Sequence, residues 1–95
     1  MTQQYIAGEL SLLLGQLQAD MTNEASVVGV AHLRRCAETG PDSALASVAV
    51  RALEVADRVC WDSLTRGDGV AFIRQAAICS RLWEFGVCAG LLKER

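Results

Sequence analysis

Three observations on this 95-residue chain predict an all-α fold. Apolar residues recur at steps of three and four, strand-like alternation is almost absent, and the single proline directly follows a glycine. The expected architecture is a small helical bundle. It is built on a long antiparallel helical hairpin, about 42–66 and 69–92, with one or two N-terminal helices, as a single helical domain over 1–95.

The first helix is expected from about Gln3 to Met21, with Thr2 as N-cap. Ile6, Leu10, Leu13, Leu17 and Met21 form its stripe, which Leu12 and Leu14 widen. Gly8 and Gly15, seven apart, mark a side where a neighbour can approach. Thr22-Asn23 either breaks or bends the chain, leaving residues 2–39 readable as one helix or two. A second segment, Glu24 to about Thr39, carries the stripe Val27, Val30, Leu33 and Ala37, with His32 and Arg35 on the far side. Gly40-Pro41 stops it, with Gly40 expected as a left-handed cap.

The third helix is expected to start near Pro41–Ser43 and end at Arg66. Its two apolar stripes adjoin: Leu45, Val48, Ala52, Val55 and Val59, then Ala49, Leu53, Ala56, Cys60 and Leu64. Ser47, Arg51, Glu54, Arg58 and Asp62 make the wet face, where Glu54–Arg58, Arg58–Asp62 and Asp62–Arg66 are spaced for ion pairs. Arg66-Gly67-Asp68 spells an adhesion tripeptide. It reads better as helix end, left-handed glycine cap and next N-cap.

The fourth helix, Val70–Leu92, is apolar over more than half its circumference and carries only Arg74, Arg81 and Glu84 as charges. Two apolar arcs lie about 120° apart. Phe72, Ala76, Cys79, Trp83 and Gly90 form one, expected to pack on the third helix near Trp61. Ile78, Leu82, Phe85 and Ala89 form the other, expected to meet a partner, with Arg74 and Arg81 at its edge. Gly86 and Gly90, four apart, suggest close approach of another backbone. A charged tail, Lys93-Glu94-Arg95, follows.

Composition bears on function. The apolar set is 52%, and eight glycines raise it to about 60%, against roughly 45–50% for a typical soluble chain. A chain this small buries only about 60–65% of its unfolded surface, so a subunit interface is the expected home for the excess. A symmetric homodimer is therefore expected.

The net charge of −2 argues against nucleic acid as a partner. Split at residue 47, the first part carries two bases against five acids (−3) and the rest seven against six (+1), so neither part is a basic footprint. A helix-turn-helix reader using Arg34, Arg35 and Arg74 on phosphates is the least favoured alternative. Arginine outnumbers lysine eight to one, as coding bias in a GC-rich genome would produce. Charges inside the most apolar helix argue against a membrane span.

The N-terminus shows no secretory pattern, so Cys36, Cys60, Cys79 and Cys88 are expected as inert cytoplasmic thiols. Their spacing supplies no metal site, and Cys79 and Cys88 fall about 180° apart on one helix. His32 and Cys36 form a pair one turn apart, which is two ligands short of a zinc site. No nucleophile–base–orienter set and no phosphate loop can be drawn, so no catalytic residue and no cofactor are expected.

The expected function is that of a small cytosolic, non-enzymatic regulatory or adaptor protein. It would act by helix-mediated homodimerisation and by docking a protein client. The alternative is a small-molecule-binding helical domain with Trp61, Phe72, Trp83 and Phe85 around a pocket and Arg74 or Arg81 as anion anchor.

Overall fold

The computed structural model describes residues 2–93; Glu94 and Arg95 of the charged tail lie outside the described residues. Four α-helices and one short 3-10 turn carry the described chain: α1 (Gln3–Ala19), α2 (Glu24–Thr39), the turn Asp42–Ala44, α3 (Leu45–Thr65) and α4 (Gly69–Cys88).

Local chemistry sets the boundaries. Thr2 accepts the Tyr5 N–H at 3.1 Å and starts α1. Asn23 accepts the Ser26 N–H at 3.1 Å and starts α2, so residues 2–39 are two helices. Each cap satisfies one of the four donors a helix start leaves open. α1 stops at Ala19, two residues short of Met21.

The end of α2 departs from the expected form. Gly40 has φ −77° and ψ 171°, an extended conformation rather than a left-handed one. The reason is Pro41, whose ring excludes compact conformations at the residue before it. Gly40 is nonetheless a tight position: a β-carbon there would lie 2.5 Å from the Cys36 carbonyl oxygen.

α3 and α4 are separated only by Arg66–Asp68. Gly67 (φ 76°) sends its N–H to Leu64 O at 3.1 Å, while the Asp68 N–H reaches Ser63 O at 2.9 Å. These two bonds are a Schellman motif. Asp68 then accepts the Ala71 N–H at 3.1 Å and opens α4. One three-residue segment thus closes one helix and starts the next.

The far end of α4 repeats the device and corrects the expected boundary. Gly90 (φ 74°) bonds Val87 O at 3.1 Å and the Leu91 N–H bonds Gly86 O at 2.8 Å, so α4 ends at Cys88 rather than running to Leu92. Leu92 folds back onto Gly86, where any β-carbon would collide with it. The two glycines therefore have separate jobs inside the chain: Gly90 turns the backbone and Gly86 clears room for Leu92. Neither is occupied by a second backbone.

The core is built from Ile6, Leu10, Leu13, Leu14 and Leu17 of α1 and Val30, Leu33 and Ala37 of α2. Leu45, Val48, Ala49, Ala52 and Ala56 of α3 complete it with Ile78 and Leu82 of α4. α1 packs most on α2, and α3 most on α4. Alanines on α3 let those helices approach closely. The extents are 39 × 28 × 16 Å. Helices pack with axes about 8–10 Å apart, so the short dimension holds two helical layers and not three. The outer face of the α3/α4 layer is therefore left without a cover.

Polar side chains tie neighbouring helices at few points. Ser11 donates to the Glu38 carboxylate. Arg34 donates to Gln18 Oε1 at 3.0 Å, its guanidinium lying where Gly15 leaves space. Gly8, by contrast, faces open space. Buried Ser63 donates to buried Gln75 at 2.5 Å, joining α3 to α4. The spaced charges along α3 do not close into ion pairs. Among the described residues the ion pair is Arg74 Nη2 to Asp20 Oδ1 at 3.0 Å. Exposed i, i+4 pairs gain little Coulomb energy in water and lose rotamer freedom, so their absence costs little stability.

Candidate functional site: an aromatic groove between α3 and α4

The outer faces of α3 and α4 form a groove of about 930 Å³. Val50, Leu53, Cys60, Trp61 and Leu64 line it from α3, and Phe72, Ala76, Cys79 and Trp83 from α4. Leu92, held over Gly86, lines it as well. Trp61 is 61% exposed and Leu64 46%, although both are large and apolar. Ile73, one residue beyond Phe72, is 69% exposed. Scattered exposed apolar residues are ordinary on a soluble protein; here three aromatic side chains, Trp61, Phe72 and Trp83, line one groove.

Helical spacing explains the patch. The core-facing arc of α4 is Ala71, Gln75, Ile78, Leu82 and Gly86. Phe72, Ala76, Cys79 and Trp83 follow each core position by about 100°, one residue later. On α3 the core arc contains Ala49, Ala52, Ala56 and Cys60, and Val50, Leu53, Trp61 and Leu64 flank it. The two flanking arcs converge on the same side of the layer.

This arrangement reverses the expected roles of the α4 arcs. Ile78 is 4% exposed and Leu82 2%, both in the hydrophobic core. They are out of reach of any partner in the folded chain. Phe85 is half-buried and packs on Tyr5 of α1, ring centroids 6.3 Å apart at 56°. Ala89 is half-buried against the same core. The physical reason is that α1 covers this arc of α4, a tertiary choice that helical periodicity does not determine.

The arginines also stand apart from the groove. Arg74 bonds Asp20 at the end of α1, and Arg81 is exposed but does not line the groove. The expected anion anchor is thus missing from the aromatic walls. The charged groups that do line the groove are Glu54 and Asp57 of α3 and Glu84 of α4, all exposed carboxylates. Glu54 belongs to the wet face read from sequence. Only the fold brings it and Asp57 opposite Glu84.

The two groove thiols are poor nucleophiles. Burial pushes the Cys60 thiol above its ordinary value of 9.0, reinforced by Cys79 and then Asp57. Burial raises Cys79 as well, with Asp57 adding to it. Both therefore stay protonated at neutral pH, the opposite of what thiolate catalysis needs. All four cysteines are free, and only Cys60 is buried; Cys36 and Cys79 are intermediate and Cys88 is exposed. The Cys36 thiol lies 3.6 Å from His32 Nε2 on the surface of α2, well away from the groove lining. Among the described residues no three His, Cys, Asp or Glu side chains cluster to hold a metal. No helix among them is long and apolar enough to cross a membrane.

Comparison with protein-family models, curated proteins and solved structures finds no match to this chain.

Proposed function

We propose that this protein is a small cytosolic, non-enzymatic association module, an adaptor or regulator that receives a helix from a partner in the α3/α4 groove. The observation that carries the reading is that Trp61, Leu64, Phe72 and Trp83 all line one groove on the outer face of the α3/α4 layer. Tryptophan is among the residues enriched at binding hot spots. Helix-in-groove recognition requires apolar walls that accept side chains at i, i+3 or i+4 and i+7. The same lining takes over the role first expected of the Ile78–Leu82 arc.

The test is a calorimetric titration with a helical peptide of leucine and glutamine, apolar on one face and uncharged on the other. Binding with a negative heat-capacity change, as apolar burial gives, supports the reading. Loss of that binding in Leu64→Glu, with helicity retained, localises it to the groove. Absence of binding to the wild-type protein contradicts it.

A second reading has its own support. The groove volume of about 930 Å³ lies within the range of small-molecule pockets, roughly 300–1,000 Å³. An apolar ligand seated between Trp61 and Trp83 would fit that reading. Tight binding of the neutral dye Nile red without peptide binding would favour it.

A further inference from the structure

We infer that the occupant of the α3/α4 groove is a basic amphipathic helix from a different protein, rather than a second copy of this chain. The inference rests on the association reading and adds the chemistry of the partner.

The groove has apolar walls and a one-signed rim. Glu54, Asp57 and Glu84 are its charged lining groups, and no lysine or arginine lines it. Its other polar lining group is Ser80. The three carboxylates come from both helices, so a helix lying between α3 and α4 would pass negative charge on each side. An occupant with leucine-like residues facing inward and lysine or arginine on its flanks would match walls and rim together. Complementary rim charge chiefly sets which partner is accepted and how fast it arrives.

The same charges disfavour self-association at this face. A two-fold contact places the same patch against itself. The Glu54, Asp57 and Glu84 carboxylates of both copies would then share one seam, six in all, with no base in either lining. Like charge across an interface is a standard way to exclude a wrong partner. The chain's net charge of −2 adds to the preference for a cationic partner.

The experiment uses the full chain and fluorescently labelled helical peptides with identical leucine faces, bearing lysine, glutamate or glutamine on the polar face. Anisotropy reads the affinity of each. The lysine peptide is expected to bind at least tenfold more tightly than the glutamate peptide at low salt. The triple variant Glu54→Gln, Asp57→Asn, Glu84→Gln should lose about tenfold for the lysine peptide, the scale of several exposed charge pairs, and leave the glutamine peptide unchanged. Added salt should erase the same difference, because the rim is solvent-exposed. Equal binding of lysine and glutamate peptides overturns the inference while leaving the groove an association site. Failure of all three peptides to bind overturns the association reading itself. A dimer seen by light scattering in the absence of peptide, and abolished by Leu64→Glu, identifies a second copy as occupant and also overturns the inference.

Discussion

Leu92 lies directly over the bare α-carbon of Gly86, in space a β-carbon would fill, and the same leucine lines the aromatic groove. The end of α4 and the binding surface are therefore one construction. Gly90 reverses the chain, Gly86 admits Leu92, and Leu92 contributes to the groove. This coupling leads to the first prediction.

Gly86→Ala should lower stability by about 1–3 kcal/mol, the ordinary effect of overpacking, despite the better helix propensity of alanine. In a Leu92→Ala background the clash is gone. There the same substitution should be neutral or stabilising by up to about 1 kcal/mol. A double-mutant cycle from urea denaturation measures this coupling. Additive effects would mean that Leu92 does not sit on Gly86 in solution.

The buried arc of α4 and the groove wall of α3 should behave oppositely. Leu82→Ala should cost about 2–5 kcal/mol, as a fully buried leucine does, and Leu82→Glu should leave the chain unfolded. Leu64→Glu should change stability by less than about 1 kcal/mol, since Leu64 is half-exposed in the groove wall. Circular dichroism melts decide between them. A folded Leu82→Glu protein would return that residue to the surface.

The buried Ser63–Gln75 bond predicts a sharp loss on truncation. Ser63→Ala removes the donor from a Gln75 oxygen that is sealed from water, and should cost about 1–3 kcal/mol. Replacing both residues, Ser63→Ala with Gln75→Met, should recover much of that loss. Thermal midpoints of the single and double variants check it; equal loss in both would show that packing rather than hydrogen bonding sets the effect.

Stability should also depend on alkaline pH through the groove thiols. Cys60 and Cys79 have folded-state pKa values above the ordinary 9.0. A group raised on folding contributes stability that is fully present below its unfolded value and lost as pH rises through the folded one. Urea midpoints should therefore not change on this account from neutral pH to about 8, then fall above about 9. The double variant Cys60→Ala, Cys79→Ala should fall less steeply over that alkaline range. Identical pH profiles for both proteins would remove the thiols from the account. In the same vein, Cys88 should react with a thiol reagent at neutral pH well before Cys60.

Much of the fold is legible in the sequence because helix boundaries are local chemistry. Thr2, Gly67 and Asp68 cap helices through bonds to residues three positions away, as their spacing suggests; Asn23 caps α2 in the same way, but Thr22-Asn23 alone leaves a break and a bend equally open. Gly40 illustrates a local conflict: glycine favours a left-handed cap, but Pro41 forces an extended residue before it, and proline prevails. Gly90 is legible in principle as a left-handed cap followed by leucines. The long apolar run through Leu92 hides it.

The site is less legible, for a different reason. Periodicity places two apolar arcs on α4 about 120° apart, yet both look alike in one dimension. Which arc is covered depends on where α1 lands. Trp61, Phe72 and Trp83 were readable as a possible aromatic lining because they share flanking arcs of adjacent helices. The carboxylate rim was not, because Glu54 and Glu84 belong to different helices and meet only across the groove.

The central claim is that the α3/α4 groove is the working surface, and tryptophan emission tests it most directly. Trp61 and Trp83 are the two tryptophans of the chain, and both line the groove. With Trp61→Phe, the remaining Trp83 reports on the groove alone. Saturating leucine–lysine helical peptide should shift its emission to the blue as water is excluded, and Leu64→Glu should abolish the shift. Emission unchanged by bound peptide, or shifted equally in the Leu64→Glu protein, would contradict the account.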